Sequence, residues 1–244
     1  TSPIFYATVY ELYRKSAPAE DRARDASEDC DLRFNAMRDW LDSKRPGLAE
    51  FIVSELRSLA IDGSIGKSST WRSALVLVGE YVGFSKLVAT SDHESLNNSL
   101  RLIIESLVAD ADAPTSQLRI LKSAIRTLIK EFDPIDEQIL SRCVGVAVSW
   151  DVRYCVLKSI VEKLKNSTED QKRISDSFAQ VVVELVGKTL DPFVFDGGDI
   201  ACTAIAGIEL LILTERPEVE AIIQQAFQVK EKWFELRLKK LLHS

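Results

Sequence analysis

The stretch Gly63-Ser64-Ile65-Gly66-Lys67-Ser68-Ser69 has the glycines, lysine and hydroxyls that end a phosphate-binding loop. In such a loop, backbone N–H groups and the lysine ammonium cradle phosphate oxygens. The complete motif needs a glycine five residues before Gly66, where Ile61 stands, and a strand in front of it, so the segment reads as an interhelical turn. Asp196-Gly197-Gly198-Asp199 offers carboxylates on flexible backbone, the raw material of a calcium loop, but lacks the regular ligand spacing and distal bidentate glutamate of an EF-hand. A turn followed by an aspartate cap accounts for it, and Asp62, Asp92 and Asp133 also fall at helix ends, where a carboxylate favours the positive terminus of the next helix. Nucleophilic catalysis needs a base, and His93, expected on the surface of a first helical turn, and His243 are the only histidines. The cysteines, Cys30, Cys143, Cys155 and Cys202, are far apart and form no CxxC pair, which argues against a zinc site or a disulfide framework and for a reducing compartment, cytoplasm or nucleus. No catalytic residue, cofactor or metal follows from these patterns.

Basic side chains give a clearer signal. Near the C-terminus Lys230, Lys232, Arg237, Lys239 and Lys240 interleave with Trp233, Phe234, Leu236, Leu238, Leu241 and Leu242. A basic amphipathic helix binds membranes, nucleic acid or acidic partners, but it also serves as a closing helix that buries Trp233, Leu238, Leu241 and Leu242 and turns its charges outward. The chain as a whole is acidic, with 31 Lys plus Arg against 37 Asp plus Glu and a net charge of −6, the wrong sign for gripping nucleic acid over a broad face. Its longest apolar stretches, such as Ala201–Leu213, are interrupted by Thr203 and Glu209 and fall short of the ~20 residues of a membrane span. A threonine at position 1 and a single methionine, Met37, suggest a processed form or a piece of a larger protein.

The elements that must carry these residues are helices. Only 10 Gly and 7 Pro occur in 244 residues, too few for the tight turns of a sandwich, barrel or propeller. Apolar residues recur at i, i+3, i+4 and i+7 almost throughout, which predicts an all-α fold. The expected helices are Ile4–Arg14, Asp31–Leu41, Gly47–Ala60, Thr70–Val82, His93–Val108, Ser116–Glu131, Ile135–Val148, Val152–Leu164, Glu169–Leu190, Asp199–Leu213 and Glu218–Leu242. Ser69, Asp92, Asp151 and Thr168 stand where N-caps belong, and Pro46, Pro114, Pro134 and Pro217 sit at or near helix starts. The charged, alanine-rich stretch Ser16–Asp29 reads as a mobile loop or a solvated helix.

Helices in pairs raise the question of repetition. Arg72-Ser73-Ala74-Leu75, Lys122-Ser123-Ala124-Ile125, Lys158-Ser159-Ile160-Val161 and Cys202-Thr203-Ala204-Ile205 echo one another early in successive second helices, at intervals of 50, 36 and 44 residues. A small hydroxylated residue there permits close helix approach while the apolar pair enters the core. Trp150-Asp151-Val152-Arg153, with Asp151 capping the turn, resembles the second helix of a HEAT or armadillo-type repeat. That resemblance implies an α-solenoid of antiparallel helix pairs, about four repeats plus flanking helices: 47–60 with 70–82, 93–108 with 116–131, 135–148 with 152–164, and 169–190 with 199–213. It also implies that Arg153 belongs to an Asp–Arg ladder between repeats. The Asp-Val-Arg turn is clean only at Asp151–Arg153, since Ala201 follows Asp199 where arginine would stand.

The expected organisation is one helical-repeat domain over 1–244, with N-terminal helices to residue 45, repeats over 46–215 and a closing helix over 217–244. The expected function is a non-catalytic protein-interaction scaffold, or a subunit of a larger complex, that binds an acidic protein segment through Arg72, Lys122 and Lys158 on the second helices and Lys230, Arg237 and Lys240 at the end. The alternative is an accessory subunit that binds RNA or DNA through the same basic residues. A minor one follows from helical-repeat DNA glycosylases, which use tryptophan and aspartate near a concave basic face, as Trp150-Asp151 would allow; Trp71 and Trp150 also suit core packing.

Overall fold

The computed structural model describes residues 17–25, 30–43, 45, 47–48, 50–52, 54–55, 90–108, 115–145, 149–168, 172–195 and 198–243. Among them every regular element is a helix and there is no strand. The chain divides into two compact units, Thr1–Ser99 and Leu100–Ser244.

In the first unit, α1 (Ala19–Arg24) packs on α2 (Cys30–Asp42), and further helical residues occur between 48 and 55. The α2 stripe Arg33, Ala36, Met37 and Trp40 has the i, i+3, i+4, i+7 spacing of one helix face and is buried, with Leu48, Phe51 and Ile52 completing the core. The charged stretch before α2 thus holds a helix anchored by Ala23, which is buried. Arg24 lies 5.3 Å from the Trp40 ring centre and 5.1 Å from that of Phe51. Arg33 reaches both ways, donating from Nε to the Ala23 carbonyl at 2.9 Å and pairing with Glu55 at 3.1 Å. Gly47, at φ 94°, sits where a side chain would need the left-handed region and would touch Trp40.

The second unit holds the C-terminal part of α3 (Thr90–Val108), then α4 (Thr115–Glu131), α5 (Glu137–Cys143), α6 (Trp150–Lys165), α7 (Asp176–Thr189), α8 (Gly198–Leu213), α9 (Val219–Ala226) and α10 (Lys232–Leu242). Helix α4 packs on α6, α6 on α8 and α8 on α10; α5 packs on α7 and α7 on α9; α5 meets α6, α7 meets α8, and α8 also meets α9. Helix α8 lies at the centre of these contacts and is apolar nearly all round, with Ile200, Ala204, Ala206, Ile208, Leu210 and Leu211 buried. At Gly207 a Cβ would clash with Val186 of α7, so glycine is what lets those two backbones approach.

Polar bonds join further neighbours as well as these. Arg101 of α3 pairs with Asp136 at 3.1 Å, and Glu105 with Arg142 of α5 at 3.1 Å. Lys163 of α6 donates to the Ile129 and Phe132 carbonyls at 2.7 and 2.6 Å and pairs with Asp133 at 2.6 Å, closing the C-terminal end of α4. Asp133 is therefore bound to Lys163 of α6 across the end of α4, rather than at the start of α5. Arg216 pairs with Asp176 of α7 at 2.5 Å. Of the echoed small residues, Ser123 and Thr203 are buried, and the Thr203 hydroxyl donates to the Asp199 carbonyl at 2.6 Å and the Trp150 carbonyl of α6 at 3.3 Å.

Several expected boundaries shift. Helix α5 is shorter than Ile135–Val148; its cap is Asp136, whose carboxylate accepts from the Ile139 N–H. The helix expected from Glu169 begins at Asp176. There Ser175 accepts from the Phe178 N–H at 3.2 Å, and its own N–H is held by the Glu137 carboxylate at 2.9 Å. Asp92, Asp151 and Asp199 lie inside first turns rather than at caps, and Ser149 precedes α6 as its cap residue. Ser69, Gly63–Ser69, Thr70–Val82 and Asp62 lie outside the described residues.

The expected closing helix Glu218–Leu242 is two helices, α9 and α10, joined through 227–231. Ile222 and Ala226 are buried on α9, and a straight continuation at 100° per residue would carry Trp233 and Arg237 inward on the same stripe. The break resets the register: Phe234 and Leu238 are buried instead, while Trp233 is 40% exposed and Leu242 is exposed. The packing expected of Trp233 and Leu242 is thereby overturned.

Candidate binding groove

Three helices of the second unit supply one groove of about 190 Å³. Tyr154 and Lys158 come from α6, at i, i+4. Cys202, Ile205, Ala206 and Glu209 come from α8, at i, i+3, i+4, i+7, and Trp233 and Arg237 from α10, again at i, i+4. Each set occupies one face of its helix, and the packing of α6 on α8 and of α8 on α10 brings the three faces together. The register break before α10 turns Trp233 and Arg237 toward this groove instead of the core.

The walls are apolar and the charges are arranged around them. Glu209 is tied to Lys165, and Lys158 stands 3.7 Å from Glu162, one turn along the same helix. The Arg237 guanidinium lies 5.6 Å from the Trp233 ring centre and forms no ion pair among the described residues. Two cations therefore flank an exposed tryptophan. Burial pushes the Tyr154 hydroxyl above its ordinary pKa, and Cys202, Glu162 and Glu209 add to the shift against the opposing charge of Arg237. Burial also raises the Cys202 thiol, with Asp199 adding and Arg237 opposing. Both groups are protonated at neutral pH and offer hydrogen-bond donors rather than charge.

The residues singled out from sequence are distributed as follows. Lys158 and Arg237 meet in the groove. Lys240, exposed on α10, continues the stripe of Trp233 and Arg237 at i+7. Lys122 of α4 is half-buried and paired with Asp151 of α6, so its charge is matched within the fold. Lys230 is exposed in the link before α10 and lines a separate cavity. Arg72 and Trp71 lie outside the described residues. Asp151 joins Lys122, while Arg153 stacks over Trp150 at 4.2 Å from the ring centre, its guanidinium pKa lowered by burial. Tyr154, Cys202, Ile205 and Glu209 were not expected from sequence to bind a partner, although Cys202 and Ile205 belong to the echoed segment and the i, i+4 pairing of Tyr154 with Lys158 marks one shared face.

Among the described residues no cluster of three His, Cys, Asp or Glu is placed to hold a metal ion, and no helix is long and apolar enough to cross a membrane. Cys143, Cys155 and Cys202 are free thiols. Compared with protein-family models, with curated proteins and with solved structures, the chain matches none.

Proposed function

We propose that the chain is a non-catalytic protein-interaction module, a HEAT- or armadillo-like stack of helix pairs α5–α6, α7–α8 and α9–α10, which acts as a scaffold or as a subunit of a larger complex. The second helix of each pair presents a face to one shared groove, and an acidic protein segment binds there. The observation that carries this reading is the convergence of Lys158 and Arg237 on exposed Trp233, with the one carboxylate of the wall, Glu209, already taken by Lys165. An apolar side chain of the segment fits against Trp233, Ile205 and Ala206 while its carboxylates face the two cations. Free thiols agree with a reducing compartment, cytoplasm or nucleus.

The test is a titration with a glutamate-rich peptide carrying one phenylalanine, followed by tryptophan fluorescence, for the natural chain and for the double variant K158E/R237E. The variant is expected to bind at least about tenfold more weakly with a melting temperature lowered only slightly, through loss of the exposed Lys158–Glu162 pair. Equal affinity for the two proteins overturns the reading. The basic face of α10, where Lys232, Lys239, Lys240 and Arg237 stand against Glu235, favours nucleic acid as the second reading. A single-stranded oligonucleotide that outcompetes the peptide, with an affinity falling steeply with salt, selects that alternative.

A further inference from the structure

Helix α10 packs on α8, and its buried residues are Phe234 and Leu238. Leu236 is two residues from each, about 200° around the helix, and therefore points straight away from the fold; it is 59% exposed. Lys232 and Lys240 stand one turn before and one turn after it, at i−4 and i+4, and Lys239 stands beside it at i+3. Trp233 and Arg237, both exposed, take the flank that turns toward the groove. The outward side of α10 is thus an apolar ridge, Leu236 with Trp233, set among four cations. The helix carries one carboxylate, Glu235, and Lys239 is bonded to it. Over 230–240 the cations Lys230, Lys232, Arg237, Lys239 and Lys240 stand against Glu231 and Glu235, in a chain whose net charge is −6.

We infer that this ridge seats the chain on an anionic lipid surface, with Leu236 and the edge of Trp233 below the headgroups and Lys232, Lys239, Lys240 and Arg237 among their phosphates and carboxylates. Both halves of the pattern choose the partner. A nucleic acid would meet the cations but offers no apolar phase to an aliphatic side chain at the summit between them, and contact through Leu236 would hold its phosphates off Lys232 and Lys240. A folded protein would need a hole shaped for a convex ridge. A bilayer yields to Leu236, and it lets the lysine stems lie along its apolar layer while their ammonium groups stay at the headgroups. Tryptophan suits the same level, its ring in the apolar layer and its N–H toward water. Charge sets the orientation, since an anionic surface attracts α10 and repels the acidic remainder of the chain. Eleven residues that include five charges lie along such a surface and do not cross it. Leu236, Lys232 and Lys240 are not walls of the groove at Lys158 and Arg237, so the seat does not depend on the function proposed for that groove.

Pelleting of the whole chain with phosphatidylcholine vesicles, with and without about one third phosphatidylserine, tests the inference. Binding is expected to the anionic vesicles alone. Reversing two charges in K232E/K240E should raise the lipid concentration for half-binding at least about 30-fold. L236Q keeps the charge and the helix propensity of the natural chain, so it reads the apolar contact by itself, and its binding should weaken at least about fivefold. All three replaced side chains are exposed, and unchanged helix content by circular dichroism checks that the variants are folded. The glutamate-rich peptide should bind L236Q as it binds the natural chain, so either reading can fail without the other. No pelleting with the anionic vesicles, equal pelleting with the neutral ones, or L236Q pelleting like the natural chain each overturns the inference. A chain that leaves the anionic vesicles in solution yet binds a single-stranded oligonucleotide overturns it too, and assigns the basic face to nucleic acid.

Discussion

Cys143 illustrates how much a single residue's chemistry depends on what surrounds it. In sequence it is one of several scattered cysteines; in the fold it is fully buried at the end of α5, and burial raises its thiol pKa from 9.0 to about 12, with the neighbouring Cys155 and Asp136 adding to the effect. Below pH 9 both the folded and the unfolded chain hold the proton, and the group has no influence on stability. Between pH 9 and 12 the unfolded chain releases it while the folded one retains it, so stability falls as pH rises, by at most about 1.4 kcal/mol per pH unit. Cys155, raised in the same direction by burial, acts with the same sign. Urea midpoints measured at about pH 8 and about pH 10.5 should therefore drop for the natural chain, and drop less for C143A. An equal drop in the two proteins rules out Cys143 as a source of the alkaline loss. The same dependence on surroundings separates the lysines: Lys122 and Lys158 occupy equivalent places in the sequence echo, yet Lys122 is bound to Asp151 of the next helix, while Lys158 pairs only along its own helix, with Glu162, and faces a groove.

Helix approach is set by small residues, and Gly207 is the most sensitive position. Its missing Cβ would clash with Val186 and would lie 3.6 Å from Leu157 and Val182, so G207A forces α7 and α8 apart or drives Val186 off its rotamer. The expected cost is about 1–3 kcal/mol, read from the urea midpoint, and V186A in the same chain should recover part of it although V186A alone is destabilising. Strict additivity of the two substitutions contradicts the contact. Helical periodicity made the elements themselves legible: α2, α3, α4, α6 and α8 begin and end within three residues of their expected bounds. Their ends were less legible where a distant residue decides them. The start of α7 at Asp176 depends on Glu137, far back in the chain, holding the Ser175 N–H. The break between α9 and α10 was hidden for a different reason. Residues 233–242 are apolar on more than one side, so a pattern alone does not choose between Trp233 and Phe234 for the interior, and a one-residue choice rotates the helix by about 100°.

At the scale of the C-terminal unit, what positions the groove is the order in which helices meet. Lys158 and Arg237 are far apart in sequence, and nothing local to either announces the other; they converge because α8 lies against both α6 and α10. The sequence echo placed Lys158 on a second helix but ended before α10, so the groove's second cation was legible only as part of a basic amphipathic stretch. The same order of contacts separates a stack, in which each helix depends on its neighbours, from a single core in which all depend on all. Phe234 and Leu238 are the buried residues of α10, which packs on α8, and α10 has no comparable contact with α4 or α6 among the described helices. F234A removes a fully buried ring, at an expected cost of about 3–5 kcal/mol. In a stack that loss falls on the end of the array. Hydrogen exchange should then rise steeply over 232–242, rise less over 198–213, and stay unchanged over 115–131, where α4 is held by α6 through Lys163 and the Lys122–Asp151 pair. Exchange that rises by the same factor in all these helices would mean that the unit opens as one body, and the description of it as stacked helix pairs would have to be given up.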